Sequence, residues 1–526
     1  MKPETITKSQ FVAGERCAKL QYLSCNAPGL RAPVSSLEQK TLAVGQLVTA
    51  AARERFPNGI LISSLDPEQA LKETQQAIDA GALTIYEPAF CYDNILVRVD
   101  ILSRPTSSTP WNFHEVKATT YSNISKEQEQ EYQNDIAIQI WVLRNHNIEL
   151  AEVYLTHLNS DCRHPDLYNL FFDVDYSEAI APMLQKIGDH LAKQRAVLTL
   201  VSAPEISIGR QCEKPRPCPF SKHCWRAIPS PSIFDIPACR KKWEFFNAGR
   251  LTIDSLSIGD FRSEIQQRIL VCYQEDHPYF DADLISQELD SWVYPLVYLD
   301  FESIDPPIPC FPETRPFQHL PFQFSCHIQG KAHAPLAHKE FLFDGSDDPR
   351  PAFIEALLEA VPQQGSIVVY YAPYESTRLK ELARDFPQYT DGLLAIRSRL
   401  VDLMEVIKKG VYYPEFLGSF SIKKVAPVIL GETASYAGLE VSDGVQAMMT
   451  FEKLKELPAE CEERTKLYQA MLAYCKQDTL LMVHLHQWLQ DELSGKGIMI
   501  IKLPVSRCSS PPLPSTSQTI NHVGAV

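Results

Sequence analysis

Apolar positions recur with two different periods along this chain, and each change of period marks a predicted element. Leu42, Leu47, Ala50, Ala51 and Phe56 fall on or near one face of a 3.6-residue repeat, which predicts an amphipathic helix over Leu42–Phe56. A second predicted helix covers Pro67–Ala80, with Gly81 as its stop. From Thr84 the pattern becomes extended. Ile95–Leu102 reads as one strand, and Trp111–Lys117 as the next after a Pro/Ser/Thr turn. That hairpin sets Asp100 and Glu115 on adjacent strands. Ser125–Asn145 is then a predicted helix and Ala151–Leu158 a strand, so the order helix, strands, helix, strand gives an α/β plan.

Residues 227–292 contain Pro-Ser-Pro and short helical patterns such as Asp260–Tyr273, and read as a helical connector. A second α/β unit opens at Leu296-Val297-Tyr298-Leu299-Asp300, a strand of the buried type. Ile367–Tyr371 is another predicted strand, followed by a helix over Glu375–Arg384, and Lys466–Gln487 is a long terminal helix. The expected organisation is an N-terminal domain over 1–226, the connector over 227–292 and a C-terminal domain over 293–492. A Ser/Thr/Pro-rich tail over 503–526 is expected to be disordered.

Length and charge narrow the classes. The chain has 526 residues, enough for at least two domains with their own cores. No apolar run approaches the roughly eighteen residues of a membrane span, and the first residues lack a secretory apolar core, so a cytoplasmic location is expected. The 14 cysteines are then expected to be mostly reduced. A net charge of −15 argues against non-specific coating of nucleic acid. Residues 1–226 carry 23 basic and 26 acidic residues, against 27 and 39 in the remainder, so the N-terminal half is better suited to grip phosphates.

Asp100, Glu115 and Lys117 form the first candidate site. Two carboxylates can hold Mg²⁺ or Mn²⁺ beside a phosphodiester, where the cation activates water and relieves phosphate charge. Lys117 shares a strand face with Glu115 because side chains alternate. Glu87-Pro88, Val99-Asp100-Ile101-Leu102, Glu115-Val116-Lys117 and Asp135-Ile136-Ala137-Ile138-Gln139 together resemble the PD-(D/E)xK nucleases, with RecB-like exonucleases, including the CRISPR-associated ones, as the nearest look-alikes. The resemblance implies a restriction-endonuclease-like core in which Asp100 and Glu115 bind metal, Lys117 is catalytic and Gln139 edges the site. Thr49, four residues after Gly45, stands where that family often has histidine, and Leu143 where it often has an aromatic residue.

Cys212-x5-Cys218-x5-Cys224 lies in a proline-rich stretch, and thiolates so spaced suit either zinc or an iron–sulfur cluster. In RecB-like exonucleases with a [4Fe–4S] cluster, one cysteine precedes the nuclease core and three follow it. By that resemblance Cys17 is the lone first ligand, with Cys25 as its rival.

Asp300-Phe301-Glu302 ends an apolar strand with two carboxylates on one face, and Tyr474-x3-Asp478 sets a phenol and a carboxylate one helical turn apart. The combination resembles DnaQ-like (DEDD) exonucleases of the RNase H-like fold. In them the first-strand Asp and Glu and the last-helix Asp bind metal, and a tyrosine orients water, a role that falls to Tyr474. Their middle motif often reads Asn-x-x-Phe-Asp. Here Ala372-Pro373-Tyr374-Glu375 follows a strand, so Glu375 is the remaining candidate acid and Asp402 its rival.

Over roughly residues 5–490 the chain resembles a bacterial family of uncharacterised function that joins a RecB-like nuclease to a DnaQ-like domain. The resemblance implies a two-site, metal-dependent nuclease acting on single-stranded or end-exposed DNA, or on RNA, in repair or defence. The alternative is a nucleic-acid-binding adaptor built on two degenerate nuclease folds.

Overall fold

The computed structural model describes residues 5–495 apart from 432, 433, 435 and 437. It is a mixed α/β structure with several sheets. The tail over 503–526 lies outside the described residues.

The N-terminal half is built on a six-stranded sheet in the order Ile60–Leu61, Thr84–Tyr86, Ile101–Ser103, Trp111–Thr120, Leu150–Leu158, Phe171–Asp175. Trp111–Thr120 pairs antiparallel with Ile101–Ser103 and parallel with Leu150–Leu158. A parallel pair needs a crossover, and the helix Lys126–Asn145 supplies it. Ser125 caps that helix in a reciprocal capping box with Gln128. From Asp135 to Leu143 every residue but Trp141 is buried.

Two sequence expectations change here. Ile95–Leu102 is not one strand. Ile95–Arg98 joins a small separate sheet with Ile6–Thr7 and Ala89–Tyr92, while Ile101–Ser103 joins the large one, and Asp100 sits at the break. The first amphipathic helix runs over Ser36–Arg53, and its buried face is also different. Val48 and Ala52 are buried, with Val44 packed beside them, whereas Leu42 and Leu47 are more than half exposed. Apolar residues lie on several sides of this helix, so periodicity alone could not choose the stripe. The spacing of four among Val44, Val48 and Ala52 is the one that meets Ile101 and Val116 of the sheet.

The second sheet has five strands in the order Leu336–Leu342, Leu320–Gln329, Leu296–Ile304, Ile367–Val369, Leu400–Asp402. Leu296–Ile304 is central, antiparallel to Leu320–Gln329 and parallel to Ile367–Val369. Every residue of it except Asp300 is buried, as a strand covered on both faces requires. The terminal helix Glu462–Leu493 lies across it and Leu320–Gln329.

Residues 227–292 do more than connect. Ile233, Ile236, Ile253, Ile269 and Ile285 share one core with Tyr298, Tyr412 and Met482. Tyr279–Phe280 also pairs with Val411–Tyr412. The two halves meet directly as well. Ser36 donates to Asp443 Oδ2 at 3.2 Å, Lys40 pairs with Asp305, and the His164 amide donates to the Thr314 carbonyl at 3.1 Å.

A fragment starting at 293 is therefore expected to be unstable, because it exposes the apolar surface that residues 233–292 cover. A fragment over 227–495 should give a cooperative thermal melt by circular dichroism and one over 293–495 should not. Equal melts would make the connector dispensable.

Candidate functional sites

The N-terminal candidate residues converge on the middle of Trp111–Thr120. The Val116 amide donates to Asp100 Oδ2 at 2.7 Å, which fixes Asp100 against the strand that carries Glu115. The Lys117 ammonium donates to Glu115 Oε1 and Asp135 Oδ2, both at 2.7 Å. Gln139 donates to Glu115 Oε2 at 2.8 Å and to Asp135 Oδ1 at 3.3 Å. All four predicted residues thus meet.

Two others were not predicted. Asp135 lies one helical turn before Gln139, a spacing that could have revealed it. Lys8 lies 3.1 Å from Glu115 Oε1 and 3.3 Å from Asp135 Oδ1, and its separation of 107 residues from Glu115 left no sequence signal.

Burial raises the Glu115 carboxyl to about 7, with the charges of Asp100 and Asp135 adding to the effect. Burial also opposes ionisation of Asp135, yet the Lys117 and Lys8 ammonium groups outweigh it and hold that carboxyl below the usual range.

In the C-terminal half, Asp300 and Glu302 come from the central strand and Asp478 from the terminal helix. Each offers a carboxylate oxygen, and these oxygens lie within 4.8 Å of one another, a set able to hold a metal ion. Glu302 and Asp478 are buried and Asp300 is half-buried. Burial and the Asp478 charge raise the Asp300 carboxyl well above its ordinary value, and burial with Asp300 does the same to Glu302. Asp478 is raised to about 6 by burial, against hydrogen bonds from Tyr436 and Tyr474 and the charge of Lys423.

Lys423, on the helix Ile422–Leu430, donates to the Tyr474 hydroxyl at 3.1 Å and to the Ser442 carbonyl at 2.6 Å. Its ammonium also lies over the rings of Tyr436 and Tyr474. Neither Lys423 nor Tyr436 was foreseen.

Glu375 stands outside the three-carboxylate set. It is 2% exposed, its Oε2 has no hydrogen-bond partner among the described residues, and burial followed by the Asp300 charge holds its carboxyl well above the ordinary value. The rival Asp402 has structural work. Its carboxylate accepts from the amides of Tyr371 and Ala372 and caps the helix Leu403–Gly410 through the Glu405 amide.

Cys17, Cys212, Cys218 and Cys224 line one small pocket with Leu20, Leu23 and Phe220, and Cys25 is not among its lining residues. All four are half-buried and unbridged. Burial pushes the Cys218 and Cys224 thiols up. Arg16 fastens the same junction without metal, donating to the carbonyls of Gln211 at 2.8 Å and Arg216 at 2.5 Å.

A family described as a domain of unknown function, DUF2779, matches residues 297–421, which span the central strand and Glu375 but stop before Tyr474 and Asp478. The chain is 26% identical over 222 residues to an uncharacterized MG366 homologue of Mycoplasma pneumoniae, covering 38% of this chain and 33% of that protein. It is 25% identical over 233 residues to the uncharacterized protein UU173 of Ureaplasma parvum, covering 39% and 33%. The chain thus spans about a third of the length of these curated relatives. No solved structure matches. No helix among the described residues is long and apolar enough to cross a membrane.

The raised Asp478 carboxyl has a thermodynamic consequence. An unfolded aspartate ionises at about pH 3.9. As pH rises, the unfolded chain gives up this proton before the folded one, so Asp478 destabilises the fold progressively between about pH 4 and 6 and by a constant amount above that. In EDTA, Asp478→Asn should melt above the parent by about 2–4 °C at pH 7.5, and the difference should shrink toward pH 4. A difference independent of pH would contradict the assignment.

Proposed function

We propose that this chain is a metal-dependent nuclease with two hydrolytic sites acting on phosphodiester bonds of DNA or RNA. The observation that carries the reading is the convergence of Asp300, Glu302 and Asp478, three carboxylates held together inside the protein beside Tyr474. Like charges so placed are costly unless a cation joins them. The sheet order supports an RNase H-like, DnaQ-like assignment for this half, since the first strand is central and the second lies antiparallel beside it. The helix–strands–helix–strand order around Glu115 and Lys117 supports a PD-(D/E)xK assignment for the other half.

The donor set fits a divalent cation. Asp300, Glu302 and Asp478 would hold Mg²⁺ or Mn²⁺ by oxygen, and the bound cation would supply an activated water and charge relief at phosphorus. Tyr474 is then a group for orienting that water. Its hydroxyl accepts from Lys423 and donates to Asp478, which sets the phenol beside an oxygen that would hold the cation. Glu375, buried and within reach of the charges of Asp300 and Glu302, is the reserve acid. In the N-terminal half Asp100 and Glu115 would hold metal, with Lys117 to stabilise developing charge. Glu115 already accepts from Lys8, Lys117 and Gln139, the observation that favours, for this half, the second reading, a nucleic-acid-binding adaptor built on two degenerate nuclease folds.

The cysteine pocket is read as a [4Fe–4S] site, with zinc as the alternative, and the meeting of Cys17, Cys212, Cys218 and Cys224 around one pocket supports a shared thiolate-bound group. A cluster there would close a loop of roughly two hundred residues and so stabilise the N-terminal half.

The deciding experiment is cleavage of end-labelled DNA and RNA in Mg²⁺ and Mn²⁺. Lys117→Ala and Asp300→Ala should remove distinguishable activities, and cleavage that needs no divalent cation would overturn the reading. Tyr474→Phe should slow the C-terminal activity by about 10²–10⁴ while metal-induced thermal stabilisation persists. Loss of that stabilisation would make Tyr474 structural.

Anaerobically purified protein should carry about four iron atoms, lost in Cys17→Ser and Cys218→Ser. Stoichiometric zinc in a colourless, active protein would contradict the cluster.

A further inference from the structure

Lys8 is the first residue of the nine-residue helix Lys8–Arg16. Its ammonium lies 3.1 Å from Glu115 Oε1, 3.4 Å from Glu115 Oε2 and 3.3 Å from Asp135 Oδ1. With Lys117 and Gln139 also donating, the Glu115 carboxylate accepts four hydrogen bonds, about the full capacity of its two oxygens. Lys8 therefore occupies oxygens that a divalent cation would need.

The backbone that carries Lys8 is tightly held. Thr7 and Gln10 form a reciprocal capping box, and Ile6–Thr7 pairs with Ile95–Leu96. Phe11 is fully buried, and Glu15 is tied to His190 and Gln194, both at 2.8 Å. The helix ends at Cys17, whose backbone amide bonds to Ala13. With both ends fixed, Lys8 can leave the carboxylates only by rotating its own four-carbon stem.

We infer that Lys8 is a resident counter-ion of the N-terminal site, which a divalent cation must displace from Glu115 and Asp135 in order to bind. The inference rests on the nuclease reading above. Without metal, Asp100, Glu115 and Asp135 face Lys8 and Lys117, and the five groups carry one net negative charge when all are ionised. Removing Lys8 leaves two net negative charges and frees acceptor positions on Glu115. Both changes favour a metal ion, whereas an ion pair with no relation to metal binding predicts no gain.

The test uses the full chain with Asp300→Asn and Asp478→Asn to silence the other site, and Mn²⁺ alone as the probe. Bound and free Mn²⁺ are read by electron paramagnetic resonance. Lys8→Met in this background should lower the Mn²⁺ Kd by at least about tenfold, since one unit of competing charge at contact distance is gone. Lys8→Arg, which keeps the charge, should leave affinity at or below that of the background chain. Lys8→Gln provides the same readout should the methionine variant fail to fold. Equal or weaker Mn²⁺ binding in a folded, uncharged variant overturns the inference while leaving the metal site intact. No Mn²⁺ binding with or without Lys8 overturns the N-terminal metal reading, and the inference with it.

Discussion

The arrangement of the C-terminal half turns on one unfavourable contact, the mutual approach of Asp300, Glu302 and Asp478. Three acids whose oxygens lie within 4.8 Å of one another, in a largely buried place, repel when ionised. The surroundings meet that repulsion incompletely. Tyr436 and Tyr474 turn hydroxyls toward Asp478, and Lys423 brings a positive charge, but that charge is held by the Tyr474 hydroxyl and the Ser442 carbonyl. The central strand and the terminal helix nevertheless force the acids together, since Leu296, Tyr298 and Ile304 of the strand share one buried core with Met471, Leu481 and Met482 of the helix. Hydrophobic burial thus supplies the free energy that holds the charges in place.

The N-terminal half resolves the same problem differently. Its acids are paired with two lysines, one from the sheet and one from the first helix, so the group is close to neutral without a metal. That first helix also ends at the cysteine pocket. The pocket and the Glu115 group are therefore mechanically joined through one short, well-anchored element. The two halves are in turn joined beside the C-terminal acids. Asp443, which accepts from Ser36, caps the helix Gly444–Glu456, and a side chain at Gly444 would meet Glu302 at 3.5 Å.

Much of this was legible in the chain, because strong local patterns carry it. The buried strand at Leu296, the long terminal helix and the helix after Ser125 follow from periodicity and caps that local structure obeys. Asp300, Glu302 and Asp478 were legible because each sits at a fixed register in such an element. Contacts made only by tertiary packing were not. Lys8 reaches Glu115 across the fold, Lys423 reaches Tyr474 from a separate short helix, and neither has a spacing that announces it. The break at Asp100 leaves no mark in the sequence, because an apolar run reads as continuous whereas the chain there changes sheets. Likewise the apolar residues over 233–292 read as short helices of a connector, because the core they complete is built from elements distant in the chain.

The central claim is that these raised, buried carboxyls exist to be neutralised by a divalent cation. The most direct test is calorimetric titration of the full chain with Mn²⁺ at about pH 6 in two buffers of different ionisation enthalpy, which counts the protons exchanged on binding. The account predicts saturable binding accompanied by net proton release, as carboxyls held protonated by burial and mutual repulsion give way to the metal. Absence of saturable binding, or binding with no proton release, would contradict it.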